Sequence, residues 1–392
     1  MEEVVVIDAV RTPIGSFGGE LKSMPAPDLG SVVIGALFKN NSLNPDLIEE
    51  VVMGNALSAG LGQAPARQAA MRAGLSNTTP TCTVNKVGAS GLKAVMFAVQ
   101  QIQTGDADIM VAGGMESMSN VPHYVSDTRF GINLGNSKLQ DGIIRDALTD
   151  VFKNFYLGNA AEICAAEHKI TREQQDDFAA ESHRRASAAH DQGAFDAEIA
   201  TVKVRNRMGK ADVISRDEEL KRFDPEKMRK LPPAFEKNGT ITAANASSLN
   251  DGAAALLLMS ARKAGEMGLT PIARIASQAS AAQAPEWFTT APAKAISLAL
   301  QRAGKKASDM DLIEINEDFA VVTLVNTKLL DVDPAKMNIH GGAVAIGNPL
   351  GCSGARVLVT LVHALRRHNG KWGCAGICSG GGGASAMVVE RL

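Results

Sequence analysis

Gly88-Ala89-Ser90-Gly91-Leu92-Lys93-Ala94-Val95 opens an apolar helical period that runs to about Ile102. Gly351-Cys352-Ser353-Gly354-Ala355-Arg356-Val357-Leu358 opens a second one that runs to about Leu365. Both read G-x-S-G-x-[K/R] at the mouth of a helix. Some twenty residues on, each is followed by a strand pattern ending in glycines, Val111-Ala112-Gly113-Gly114 and Ile377-Cys378-Ser379-Gly380-Gly381. Two matches in the same order imply a duplicated pair of halves. Small residues let two helices approach closely, and a helix start presents unpaired N–H groups. The two helix starts should therefore lie back to back with an active site between the halves.

Outward from these stretches, short β-branched runs alternate with longer helical periods, the pattern of an α/β chain. Strand candidates are Val4-Ala9, Val51-Met53, Ile109-Ala112, Ile272-Ile275, Leu312-Ile315 and Met387-Val389. Residues 119-249 differ in character. They hold amphipathic helices, one of them started by the capping box Thr171-x-x-Gln174, and a charged irregular region from Lys203 to Lys237. The expected division is an N-terminal half (1-118 plus 250-267), an inserted loop lobe (119-249) and a C-terminal half (268-392).

The 392 residues are 45% hydrophobic with a formal charge of -2, a balance that gives no footprint for nucleic acid. No stretch is long and apolar enough to span a bilayer. The N-terminus enters the strand pattern Val4-Val5-Val6-Ile7 almost at once, without a signal pattern. A cytoplasmic location is expected, with a mature organelle-matrix protein as the other possibility. Five cysteines, Cys82, Cys164, Cys352, Cys374 and Cys378, make no disulfide framework; the lone C-x3-C of Cys374 and Cys378 lacks a second ligand pair for zinc.

Four segments carry chemistry. They are Val84-Asn85-Lys86-Val87-Gly88-Ala89-Ser90-Gly91, Asn316-Glu317-Asp318-Phe319-Ala320, Gly341 through Pro349 (GGAVAIGNP) and Cys378-Ser379-Gly380. Together they resemble the thiolases, and in tenor the biosynthetic acetoacetyl-CoA thiolases: the nucleophile loop, the N-E-A-F motif, the segment ending in G-H-P and the C-x-G loop, in that order. Arg11 through Gly15, Gly113 through Ser119 and Asn245 through Ala255 extend the resemblance over most of the chain. It implies a five-layered αβαβα fold and reversible Claisen condensation of two acetyl-CoA to acetoacetyl-CoA and CoA. It also implies CoA thioesters as substrates, no resident cofactor, and a homodimer or homotetramer, with Met115–Asn120 as a contact segment. A tyrosine near position 152 marks the potassium-dependent members; Phe152 stands here, so no metal is expected.

In the family, a cysteine thiolate takes the acyl group and a histidine accepts its proton. A second cysteine removes the α-proton, an asparagine holds a water in one oxyanion hole, and backbone N–H groups form another. Carried over, Cys378 is the acid/base cysteine, Asn316 the water-holding asparagine, and Gly380 supplies a backbone N–H. The nucleophile position, however, is Gly88 and the histidine position is Asn348. Glycine cannot form an acyl-enzyme. Asparagine is no base near neutral pH, though its amide could donate to a thioester oxygen. The expected outcome is an acyl-CoA-binding chain with strongly impaired turnover, from deliberate inactivation of a working enzyme, which retention of Cys378 favours, or as a natural paralogue. Two other readings are a non-catalytic acyl-CoA-binding scaffold and a 3-ketoacyl-CoA thiolase of fatty-acid degradation. Rescue by Cys82, Cys352 or His340 is not expected.

For CoA itself, the resemblance implies that Leu148, Leu157, Phe235, Ala243 and Ser247 hold the pantetheine arm, although Leu148 and Leu157 suit a core equally well. Lys221 and Arg222 fall near the phosphates. The Lys203–Arg207 run, Lys227, Arg229 and Lys230 read rather as a solvated face. Tyr156 and Phe288 should shape the acyl pocket, with Phe319 at its border.

Overall fold

The structure, a computed structural model, describes residues 1–132, 134–205 and 209–392; Arg207 of the basic run lies outside them. Nine strands carry the fold: β1 (Val4–Arg11), β2 (Glu50–Gly54), β3 (Thr81–Val84), β4 (Ile109–Ser117), β5 (Asn250–Ser260), β6 (Ala273–Ala282), β7 (Leu312–Ile315), β8 (Trp372–Ser379) and β9 (Gly383–Arg391). Their order is β7-β8-β9-β6-β1-β5-β4-β2-β3, and the short Gly15–Ser16 strand pairs with β5.

From the middle outward, β1-β5-β4-β2 and β6-β9-β8-β7 repeat one topology of two antiparallel pairings and then a parallel one. The two sets meet only where Val5 and Val6 of β1 oppose Arg274 and Ala273 of β6. The duplication read from the helix starts thus reappears in strand order. Two expected strands grow considerably: Ile272-Ile275 becomes Ala273–Ala282, and Met387-Val389 becomes Gly383–Arg391.

Among the described residues, eight helices have eight residues or more: α1 (Ala26–Asn41), α2 (Pro65–Arg72), α3 (Ser90–Thr104), α4 (Leu157–His168), α5 (Arg172–Asp191), α6 (Ala291–Arg302), α7 (Ala320–Leu330) and α8 (Leu350–Arg367). Side chains of β5 show why the layers form. Ala254, Leu256 and Leu258 pack inward with α3 and α8, while Ala253, Ala255, Leu257 and Met259 pack outward beneath α1. Period-2 alternation with both faces apolar buries the strand completely. A third cluster joins β6 to β9 with α6 and α7 on the opposite outer face. The layers are therefore helix, sheet, helix, sheet, helix, with α3 and α8 in the centre.

Those central helices touch backbone to backbone. A methyl group at Gly91 would lie 2.8 Å from the Gly351 carbonyl oxygen, and one at Gly354 would lie 2.6 Å from the Leu92 nitrogen. Glycine permits the approach because it has no Cβ. Outside the layers, α5 starts with the expected capping box, both Thr171–Gln174 hydrogen bonds being present. No helix among the described residues is long and apolar enough to cross a membrane.

Candidate active site

Parallel pairing of β7 with β8 sets Ile315 opposite Gly376, so the segments leaving both strands emerge side by side. Asn316 to Asp318 follow one strand; Cys378 and Ser379 end the other. β3 delivers Val84 to Gly88 towards the same place, where α3 and α8 begin. Crevices at the carboxyl ends of strands are the usual ligand sites of such sheets. A cavity of about 360 Å³ opens there, and its wall includes Val87, Gly88, Asp318, Asn348, Cys378 and Gly380. Residues from the 119-249 stretch, among them Ala147, Leu148, Leu157, Phe235 and Ala243, close the other side with Ser247, Phe288 and Phe319.

The turn before Gly88 is strained. Val87 has φ +49°, a left-handed conformation that a β-branched residue adopts only when its surroundings force it. The Asn85 side chain accepts from the Val87 N–H at 2.9 Å, and Ser90 Oγ donates to the Val87 carbonyl at 2.6 Å. Gly88 itself leaves space. A methyl group there would find the Cys378 carbonyl oxygen at 3.4 Å, Leu350 at 3.9 Å and Asp318 Oδ1 at 4.0 Å.

Asp318, which stands where the N-E-A-F motif has alanine and is absent from the residues expected at the site, is the organising group. Its Oδ2 accepts from Cys378 Sγ at 3.0 Å and from Asn316 Nδ2 at 3.0 Å, and its Oδ1 accepts from Asn348 Nδ2 at 3.1 Å. Part of Asp318 remains open to the cavity. Burial raises its pKa, and the three side-chain donors oppose that rise by favouring the carboxylate. Burial, then the adjacent carboxylate, pushes the Cys378 thiol well above its ordinary value. An aspartate where the motif has alanine was the available signal.

Asn348 is saturated by this network. Its Nδ2 donates to Ser247 Oγ and Asp318 at 3.1 Å each; its Oδ1 accepts from Ser353 Oγ at 2.6 Å and Asn316 Nδ2 at 3.1 Å. In this arrangement both N–H bonds of the amide are spent on protein acceptors. Asn316 lies deeper. It is fully buried, does not reach the cavity wall, and uses its amide on Asp318, Asn348 and Arg356.

Among the other candidates, Leu148, Leu157, Phe235, Ala243, Ser247, Phe288, Phe319 and Gly380 all line the cavity. Tyr156 does not. It ends a two-residue strand just before α4, stays half exposed, and meets Phe235 from behind at 6.4 Å between ring centroids. A second groove adjoins the cavity through Ala243, Ala246 and Ser248, and Arg222 and Lys227 line it. Lys221 lines neither and pairs with Glu20 at 2.7 Å. Cys82 is exposed on β3, Cys352 is buried inside α8, and His340 stacks edge-on to Phe195 and faces His368, so none reaches the cavity wall. Among the described residues no cluster of three His, Cys, Asp or Glu side chains could hold a metal ion.

Behind the site, Glu116 fastens the start of α8. Its carboxylate accepts from the N–H groups of Gly351 and Ala56 at 2.9 Å and from Asn55 Nδ2 at 2.6 Å. Burial raises its pKa to about 7 against those donors.

The chain matches the thiolase N-terminal domain over residues 4–262 and the thiolase C-terminal domain over residues 269–391. It is 53% identical to acetyl-CoA acetyltransferase 2 of Arabidopsis thaliana, covering 100% of this chain and 97% of that protein. It is 50% identical to acetyl-CoA acetyltransferase of Schizosaccharomyces pombe over 100% of this chain and 99% of the relative. Mitochondrial acetyl-CoA acetyltransferase B of Xenopus laevis is 52% identical over 100% and 93% respectively. With the layered sheet and a cavity between its halves, these matches show that the chain belongs to the thiolase family, a family of acyltransferases.

Proposed function

We propose that this chain binds acyl-CoA as an acetyl-CoA C-acetyltransferase-type thiolase does, but that covalent acyl transfer is strongly impaired. One observation carries the reading: at the cavity wall Gly88 offers no nucleophile, and Cys378, the one thiol among the described lining residues, donates a hydrogen bond to Asp318. A thiol whose pKa is raised by burial and a neighbouring anion is a poor source of thiolate. The pantetheine arm fits between Leu148, Leu157, Phe235 and Ser247, and the adjoining groove brings Arg222 towards the phosphates. The 119-249 stretch acts as one lobe over the cavity, to whose wall it contributes most of the apolar side chains. Exposed Phe130, Ile132, Leu134 and Leu139 on that lobe support assembly with further copies of this chain.

Two measurements test the proposal together. Calorimetric titration with acetyl-CoA should show binding, while condensation and thiolysis should run about a million-fold below an intact thiolase. Normal turnover, or an acetyl adduct on the protein by intact mass spectrometry, would sink it. The double variant Gly88→Cys with Asn348→His should recover little activity. Adding Asp318→Ala should recover much more, because Asp318 otherwise holds the Cys378 proton and the side chain at 348. That three-way coupling favours a remodelled site over a two-residue inactivation.

A further inference from the structure

Resting on the reading that acyl-CoA occupies the cavity, we propose that Asp318 is a general base that activates water in the space beside Gly88, making this chain an acyl-CoA hydrolase. Three features of the site support this assignment. The space beside Gly88 is bounded by the Cys378 carbonyl oxygen, Leu350 and Asp318 Oδ1. A water there would lie between a carboxylate and a main-chain carbonyl, both acceptors for its two protons.

Asp318 is also poised for this role. Its Oδ2 takes two donors, Cys378 and Asn316, while Oδ1 takes only Asn348 and retains an unused lone pair on the cavity side. Burial raises its basicity, while donors on the far oxygen favour the carboxylate form and fix its plane. Asn348, saturated by Ser353 and Asn316 on one side and by Ser247 and Asp318 on the other, holds the carboxylate rather than the substrate.

The step balances without any further reagent. The water oxygen attacks the thioester carbonyl carbon while Asp318 Oδ1 takes one water proton. The carbonyl oxygen gains the electron pair and is held by main-chain N–H groups at Gly88 and Gly380. Collapse of the tetrahedral species breaks the C–S bond, and Asp318 returns the proton to the departing sulfur. A carboxylic acid and CoA result, and no bond to the protein forms.

The test uses the full-length protein with acetyl-CoA and acetoacetyl-CoA, following free thiol release and, separately, binding by calorimetry. Asp318→Asn should lower the hydrolytic kcat by roughly a hundred- to ten-thousand-fold with binding retained. Gly88→Ala, whose methyl group meets nothing closer than 3.4 Å, should fold normally, bind acyl-CoA and lose hydrolysis by filling the water space. The rate of the unaltered protein should fall as acid protonates Asp318. Binding without hydrolysis, or hydrolysis unchanged in both variants, overturns the hydrolase and leaves the binding proposal standing. Failure of the unaltered protein to bind either thioester overturns both.

Discussion

Asp318 shows how one side chain reassigns its neighbours. With a carboxylate at that position, Cys378 becomes a hydrogen-bond donor, Asn316 turns away from the cavity and Asn348 becomes a support. A different buried carboxylate, Glu314 on β7, leaves a measurable mark on stability. It is fully enclosed, Oε2 has no partner, and burial raises its pKa from 4.5 to about 8 against the opposing pull of Arg356. The folded state therefore holds the proton more tightly than the unfolded chain. Its contribution is complete at acid pH, declines as pH rises from 4.5 through about 8, and levels off beyond. Glu314→Gln should flatten that slope, which can reach about 1.4 kcal/mol per pH unit, in thermal unfolding compared at about pH 5 and about pH 9. Equal pH dependence in the variant and the unaltered protein would contradict this assignment.

At the scale of elements, the α3–α8 pair is the structure on which the site depends. Both helices start at the cavity, and their glycines bring main chains into contact. Glu116 satisfies the Gly351 N–H, one of the unpaired donors that any helix start presents. Gly354→Ala places a methyl group against the Leu92 nitrogen at 2.6 Å and its Cβ at 2.8 Å, with main chain on one side and no free rotamer to relieve it. The expected cost is about 1–3 kcal/mol, read as a lower urea midpoint at constant m. An unchanged midpoint would mean that the helices separate easily. The periodicity of these two helices was plain in the sequence because their apolar faces are long. The strand β5 was quoted only as part of a polar-to-apolar motif, since eleven consecutive buried residues carry no alternation to mark them.

For the whole molecule, two sets of strands with the same pairing pattern meet at one short junction and enclose the central helices. The 119-249 stretch then lines one side of the crevice. Its exposed arm carries Phe130 and Leu134 fully in solvent, an arrangement suited to burial against another copy. Light scattering should report an oligomer for the unaltered chain and a smaller species for Phe130→Asp combined with Leu134→Asp. A monomer in the unaltered protein would remove the basis for that assembly. The inward-facing Met115 and Met118 leave mainly Asn120 of the Met115–Asn120 segment at the surface.

By itself the sequence determined the α/β class, the duplicated helix starts and the motifs found around one cavity. These are local properties: period, small residues at a contact, and the order of loops along the chain. Most of the expected lining residues are found there for the same reason, because they sit in loops that follow recognisable strands and helices. Only the tertiary structure decided what the polar residues do. Asn316, Asp318, Asn348 and Cys378 are drawn together from three separate segments, and a hydrogen bond depends on distances that spacing along the chain does not encode. The vacancy beside Gly88 could be read from the missing side chain. That a carboxylate faces it could be known only once the strands were paired and the two helices packed.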